Sequence, residues 1–463
     1  MAIPARLELN SMALITAAQN EEEPTLTRDL GLRDASAIVV GTIIGSGIFL
    51  VPSSIAGELH SLLAVLLAWL VGGLLTLSGA LALGELGAAF PGTGGLYVYL
   101  RCAYGSTTSF LYGWGLLTLI QSGTIATLAV GFRIYLAQIV PLTIVSQKLA
   151  GVLCVLLLTA VNCFGLRAGK TVQNLFTGVK LSGLTVMVAL LLLWGHAHPF
   201  GKNFWPQAPV RLHAMHFATA LIGVLWAYEG WHVVSFTAGE FRNVRRDLPL
   251  GLLYGTLLVV AIYLIANVAY YTTLKPEQIQ QTDRVAASAI GSLFGSIAAI
   301  FISALILLSI IGAMNGMILT GPRVYYAMAK EGLFFRAFAN LNRFRSPFIV
   351  LLVQGFWAAS LTLLGTFQEL FTYVVFTGWI FYGLAVSAVI VLRIRHPEIE
   401  RPFRVPAYPW LPGFFTLAAI GVTVGAVVAA PFHAVYGIAL ILTGLPVYAV
   451  LIRASKSNGL SKL

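Results

Sequence analysis

Gly41-Thr-Ile-Ile-Gly-Ser-Gly-Ile-Phe49 sets three glycines within seven residues, inside an apolar run long enough to cross a membrane. Each glycine costs about 1 kcal/mol in a helix interior, so the run predicts a helix that stops hydrogen-bonding to itself here. Backbone amides and carbonyls are then bare at membrane depth, which is tolerated only where protein or a water-filled cavity surrounds them. Helix ends at such a break aim the positive and negative ends of their dipoles into the cavity, an arrangement that suits a zwitterion. The alternative reading of this stretch is a glycine-rich face for close helix packing.

The rest of the chain has the composition of a membrane protein. Hydrophobic residues make up 58% of its 463 residues and charged ones 10%, which excludes an ordinary water-soluble domain. About twelve apolar stretches of roughly 20 residues recur, each long enough to cross ~30 Å of hydrocarbon. The net charge of +11 is distributed by loop. Arg167 and Lys170, Arg242, Arg245 and Arg246, the cluster Arg323 to Arg345, and Arg393 to Arg404 fall in alternate loops. The intervening loops hold only residues such as Lys148, Lys202, Arg211, Lys275 and Arg284. The positive-inside rule then puts both termini in the cytoplasm and makes the span count even. Residues 1–30, with Glu21-Glu22-Glu23-Pro24, read as a disordered cytoplasmic tail without a cleavable signal, and 454–463 as a second tail. No outer loop carries Cys102, Cys154 or Cys163, so no disulfide is predicted.

The predicted spans of the first half run over about 32–57, 62–90, 106–140, 147–164 and 171–195. Glu85, near the inner end of the second, either pairs in a buried setting or snorkels to solvent. Residues 96–104 predict a short amphipathic helix, with Tyr97 and Tyr99 at an interface position. Lys180 is a lone ammonium in the fifth span, so it faces a bundle interior and takes backbone carbonyls or a carboxylate, or else snorkels. The loop 196–213 carries His196, His198 and His213 without a spacing that would fix a metal. The next span, about 216–240, contains a second interruption, Trp226-Ala-Tyr-Glu-Gly-Trp231, with Glu229 at a costly depth. Spans at about 249–273, 291–328, 348–365 and 369–393 complete the second half, and 410–430 and 433–452 lie outside it.

Both interrupted spans open a unit of five, and an odd number of spans between copies inverts their topology. Interrupted segments at corresponding places in two halves are the best sequence pointer to a transporter site near the midplane. A channel would need a continuous polar pore, and an enzyme a convergent set of catalytic side chains; neither pattern is found.

Gly41 to Phe49, the Pro91 to Gly95 turn, Leu153 to Cys163, Phe176-Thr-Gly-Val-Lys180, Trp226-Ala-Tyr228, His396 to Phe403 and Gly444 to Tyr448 together resemble the amino acid–polyamine–organocation transporters. Within them the chain is most similar to the L-type amino acid transporters. The resemblance implies an all-α integral membrane protein with the leucine-transporter fold, two inverted five-span repeats over about 32–195 and 214–393 plus two extra spans over about 410–452. That makes twelve transmembrane helices in one transporter domain of about 31–453, with helices 1 and 6 broken. It implies a secondary active, sodium-independent transporter of neutral L-amino acids that exchanges them by alternating access in a plasma membrane, here a bacterial inner membrane. Proton-coupled symport and a polyamine or cationic amino acid carrier are the alternatives. No cofactor, metal or nucleic acid is implied.

The resemblance also assigns site residues. The substrate carboxylate falls on the amides around Gly45, Ser46 and Gly47, and its ammonium on carbonyls near Ile43, Trp226 and Ala227. Trp226 matches an aromatic outer gate, and Lys180 the lysine that stands where sodium-coupled relatives bind a cation. Ser122 and Trp379 fall where the side-chain pocket is expected. Two departures stand out. The loop 139–148 lacks the cysteine that bonds a heavy subunit, implying a free-standing carrier, and Glu229 replaces a usual small residue. Glu229 can pair with the substrate, carry a proton through the cycle, or cap the unwound backbone, with His232 as a candidate partner.

Overall fold

The computed structural model describes residues 28–196, 214–429 and 431–457. The expected tails therefore lie outside the described residues except for 28–30 and 454–457, and so do His198 and His213. The first half holds α1 (Leu32–Ile43), α2 (Gly47–Glu58), α3 (Leu62–Ala89), the short α4 (Leu96–Tyr104), α5 (Ser106–Ile139, with one π turn), α6 (Ile144–Cys163) and α7 (Leu166–Trp194). The second holds α8 (Ala214–Ala227), α9 (Val244–Tyr271), α10 (Pro276–Gln280), α11 (Val285–Phe294), α12 (Ser296–Thr320), α13 (Pro322–Lys330), α14 (Phe348–Leu364) and α15 (Phe367–Arg395). Three more, α16 (Trp410–Ala429), α17 (Pro431–Leu442) and α18 (Gly444–Ser457), close the chain.

Among the described residues nine helices are long and apolar enough to cross a membrane, or ten with the bent pair α1 and α2 taken as one span. The two expected spans that fall short of that length are α8, which stops at Ala227, and the 17-residue α14. The expected eighth span is corrected at its start. The chain turns at Gly295 (φ 83°), which separates α11 from α12, so the span begins at Ser296.

Helices at equal places in the two halves pack on each other: α2 on α8, α3 on α9, α5 on α12 and α6 on α14. A pseudo-two-fold axis relating two repeats produces such pairing. The interior between the halves is aromatic, with Trp69, Tyr228 and Tyr263 meeting at centroid distances of 5.2–5.8 Å. Outward faces are apolar too: Leu153, Leu157, Leu417 and Ile420 are exposed, as a lipid-facing surface requires.

The arginine-rich end of the bundle is closed by ion pairs. Glu85 is buried and accepts from Arg393 Nε at 2.8 Å and from the Val405 amide at 2.7 Å, so of its two readings the paired one holds. Arg323 donates to Glu240 at 3.1 Å, with both side chains buried. Tyr97 and Tyr99 are fully buried, which corrects the interface position expected for them; Tyr97 donates to Glu331, which also pairs with Arg101. At the same end the chain ahead of α1 is stitched to the segment after α8. Leu30 bridges Phe241, the Asp29 and Leu30 amides donate to the Glu240 carbonyl at 2.9 and 3.0 Å, and the Arg242 amide donates to Leu30 at 3.0 Å.

Candidate functional site

The first break follows from its glycines. α1 ends at Ile43, α2 begins at Gly47, and the two helices bend by 45° across the gap. The Phe49 and Leu50 amides return to the Ser46 carbonyl, so the amides of Gly47 and Ile48, ahead of them, lack an intrahelical acceptor. Gly47 also carries a packing role, because a Cβ there would lie 2.5 Å from Ala227 Cα. Both readings of the glycine stretch therefore apply, the break at 44–46 and the close approach at 47.

The second break begins where α8 ends at Ala227. Residues 228–232 form turns, and a 3-10 helix, Val233–Glu240, follows. Gly230 holds a φ of 106°, a region that a side chain rarely enters, and a Cβ there would meet the Thr42 carbonyl at 3.0 Å. Instead the Thr42 hydroxyl donates to the Gly230 carbonyl at 3.1 Å, joining the two breaks.

A small cavity lies between the breaks. Ile43, Gly45, Ser46 and Gly47 line it from the first, and Trp226 and Glu229 from the second. Thr42, Thr124, Leu128 and Met317 complete it. Three of its lining residues carry a buried polar atom without a hydrogen-bond partner among the described residues: Ser46 Oγ, Trp226 Nε1 and Glu229 Oε2. Each of the three has hydrogen-bonding capacity that the described residues leave unused. Trp226 stacks on Phe371 at 5.9 Å and meets Phe367 edge-on at 6.2 Å, so an aromatic layer covers one side.

Lys180 is buried, and its ammonium donates to the Gly41 carbonyl at 2.8 Å and the Ile44 carbonyl at 2.7 Å. Of the partners open to it from sequence, backbone carbonyls are the ones it takes. Glu229 takes a partner that sequence reasoning missed. The Tyr382 hydroxyl donates to Glu229 Oε1 at 2.6 Å, while His232 Nδ1 stands 3.8 Å away, beyond hydrogen-bond reach. A second missed residue is Tyr263, whose hydroxyl lies 3.1 Å from both the Ile43 and the Ala227 carbonyl, one at each break.

Two expected residues stand elsewhere. The Ser122 hydroxyl turns back to the Leu117 carbonyl at 2.6 Å, and Trp379 stacks on Phe415 of α16 at 5.2 Å; neither lines the cavity. The physical reason is local. Ser122 follows the π turn of α5 and satisfies its loosened backbone, and α16 supplies Trp379 with an apolar partner.

A family profile described as amino acid permease matches residues 30–452. Human b(0,+)-type amino acid transporter 1 is 31% identical over 441 residues, covering 93% of this chain and 89% of its own. The serine/threonine exchanger SteT of Bacillus subtilis is 33% identical over 431 residues, covering 92% and 97%. Human Asc-type amino acid transporter 1 is 29% identical over 440 residues, covering 92% and 83%.

Proposed function

The chain belongs to the amino acid permease family, within the amino acid–polyamine–organocation superfamily, and from that premise we propose that it exchanges neutral L-amino acids by alternating access, without sodium, as a free-standing carrier in a plasma membrane. As an amino acid transporter of this family it is a multi-pass membrane protein and not an enzyme.

The observation that carries the reading is the cavity between the two chain breaks, with its three unpartnered polar atoms. The substrate carboxylate binds at the amides of residues 45–48, where the head of α2 presents N–H groups and the positive end of its dipole. The substrate ammonium binds at the carbonyls of Ile43, Trp226 and Ala227. The phenol of Tyr263 has one proton for two of these acceptors, so at least one retains capacity for a second donor. Trp226 is the outer gate. Sodium independence is supported by the Lys180 ammonium, which fills the carbonyl pair of Gly41 and Ile44 that a cation would otherwise take. Exchange is supported by the similarity to the Bacillus relative, a serine/threonine exchanger.

Counterflow of labelled amino acids in proteoliposomes tests this. Uptake should require an amino acid inside and ignore replacement of sodium by choline. A second reading, proton-coupled symport, rests on the buried Glu229 carboxyl beside the cavity. Uptake into empty vesicles driven by a pH gradient would favour it, and absence of both kinds of uptake would refute transport of these substrates.

A further inference from the structure

We infer that Arg343-Phe344-Arg345, in the loop between α13 and α14, binds the headgroup phosphate of an anionic phospholipid, with Phe335 and Arg336 extending the same surface. The site lies at the arginine-rich end, apart from the cavity between the two breaks, and stands whatever that cavity carries.

The stretch 335–345 interleaves arginines with aromatics, and the fold leaves members of both kinds outside. Arg336, Arg343 and Arg345 are exposed, as are Phe335 at 41% and Phe344 at 40%. None of the three guanidinium groups has an acidic partner among the described residues, and Glu331, the nearest acid in the chain, is already held by Arg101 and Tyr97. A charged loop ordinarily stays solvated and loosely held, whereas this one is fixed from below. The Asn342 side chain donates to the Cys163 carbonyl at 2.7 Å and accepts from the Phe344 and Ser346 amides at 3.0 Å each. The Ser346 hydroxyl donates to the Asn162 carbonyl at 3.0 Å, and Gly165 comes so near that a Cβ on it would lie 2.7 Å from the Phe344 carbonyl oxygen.

The turn holds Arg345 at a φ of 58°, a left-handed conformation that glycine or asparagine takes more readily. The backbone gains nothing from an arginine there, so the use of its side chain lies outside the turn. Phe344 meets Phe164, 60% exposed just beyond α6, at 5.5 Å, and Arg343 covers the Phe344 ring at 4.7 Å. Exposed rings beside unpaired guanidinium groups fit the boundary of a bilayer, where rings enter the acyl layer and guanidinium groups take phosphate oxygens in pairs. A free anion would use the arginines and leave the rings in water. The positive-inside rule sets this end against the cytoplasmic leaflet, where anionic lipids gather.

Each arginine near an anionic surface contributes about fivefold to binding, so three contribute about 100-fold. Purified full-length protein in detergent, titrated with dioleoylphosphatidylglycerol and followed by native mass spectrometry, should bind it in preference to dioleoylphosphatidylcholine. Arg336→Gln, Arg343→Gln and Arg345→Gln combined should weaken the tightest phosphatidylglycerol about 100-fold. The control combines Arg242→Gln, Arg245→Gln and Arg246→Gln at the same end, where Asp29 and Glu400 already pair with the first two, and should change it less than about fivefold. Phe344→Ser should weaken the lipid while leaving every charge in place. If the triple variant does not fold, Arg343→Gln and Arg345→Gln serve singly, each lowering affinity about fivefold. Equal loss from the two triple replacements overturns the inference in favour of a diffuse positive field. Equal binding of the two lipids, or wild-type affinity without the three arginines, overturns it outright. Unchanged binding in Phe344→Ser, or inorganic phosphate competing as an equal, overturns the lipid assignment in favour of a free anion.

Discussion

Replacing Lys180 by methionine removes the charge and the terminal nitrogen while keeping most of the apolar stem of the side chain. The ammonium holds two carbonyls, those of Gly41 and Ile44, at the end of α1 where the chain leaves its helix. Hydrogen bonds from a charged group contribute about 1.5–3 kcal/mol each, so the pair contributes about 3–6 kcal/mol. Against this stands the cost of holding a lysine at membrane depth, at least ~2.5 kcal/mol. The net tether is about 0.5–3.5 kcal/mol, and the lower half is favoured because the Ser309 hydroxyl, 3.3 Å from the Ile44 carbonyl, remains after the substitution. A change of about 2 kcal/mol is roughly a 30-fold change in an equilibrium. The tether joins the end of α1 to α7 and does not line the cavity between the two breaks, so its loss should fall on the transport cycle. Counterflow with Lys180→Met should show a maximal rate lower by about 2- to 30-fold, with KM changed by less than about threefold. Size-exclusion chromatography in detergent checks that the variant is folded. A folded Lys180→Met protein that exchanges amino acids at the wild-type rate would refute the tether.

Trp226→Ala removes an aromatic that stacks on Phe371, and with it most of about 150–250 Å² of buried surface, so exchange should fall far more than protein abundance; unchanged kinetics would reduce Trp226 to packing. Tyr263→Phe takes one proton from between the Ile43 and Ala227 carbonyls, and substrate affinity, read by a substrate-induced thermal shift, should weaken by about 5- to 100-fold; wild-type affinity would show that the phenol does not set their spacing. Arg323→Gln leaves the buried Glu240 carboxylate unpaired and should destabilise the closed arginine-rich end by about 3–5 kcal/mol, seen as faster alkylation of a cysteine placed at the half-buried Thr93; equal alkylation rates would argue against a closing role for the pair.

What was legible in the sequence is what does not depend on helix register. Three glycines break a helix wherever it packs, and α1 does end at Ile43 and α2 begin at Gly47. A lone lysine or glutamate in an apolar run must find a partner whatever its neighbours, and Lys180 and Glu229 both do. Tyr263 and Tyr382 were missed because a tyrosine in an apolar run reads as core until the distant acceptor on its face is known. Trp379 shows how fine the distinction is. It lies three residues before Tyr382 on α15, a rotation of about 60°, and that suffices to turn Trp379 onto Phe415 and Tyr382 onto Glu229. The end of α8 at Ala227 falls inside the interruption read at 226–231, whereas composition could not say that the chain beyond it winds as a 3-10 helix over Val233–Glu240.

The stitching of residues 29–30 to 240–242 makes a gear of the two interrupted segments at the arginine-rich end. Thr42 adds a second tooth where it meets Gly230, so the lead-in to α1 and the chain beyond α8 cannot swing independently without shearing four hydrogen bonds. A displacement begun at either segment is therefore handed to the other, so the two segments share one degree of freedom where two separate hinges would have had two. Glu240 sits on the shared shaft, its carbonyl in the stitch and its carboxylate on Arg323, so the ion pair acts as the pawl that holds the gear in one position.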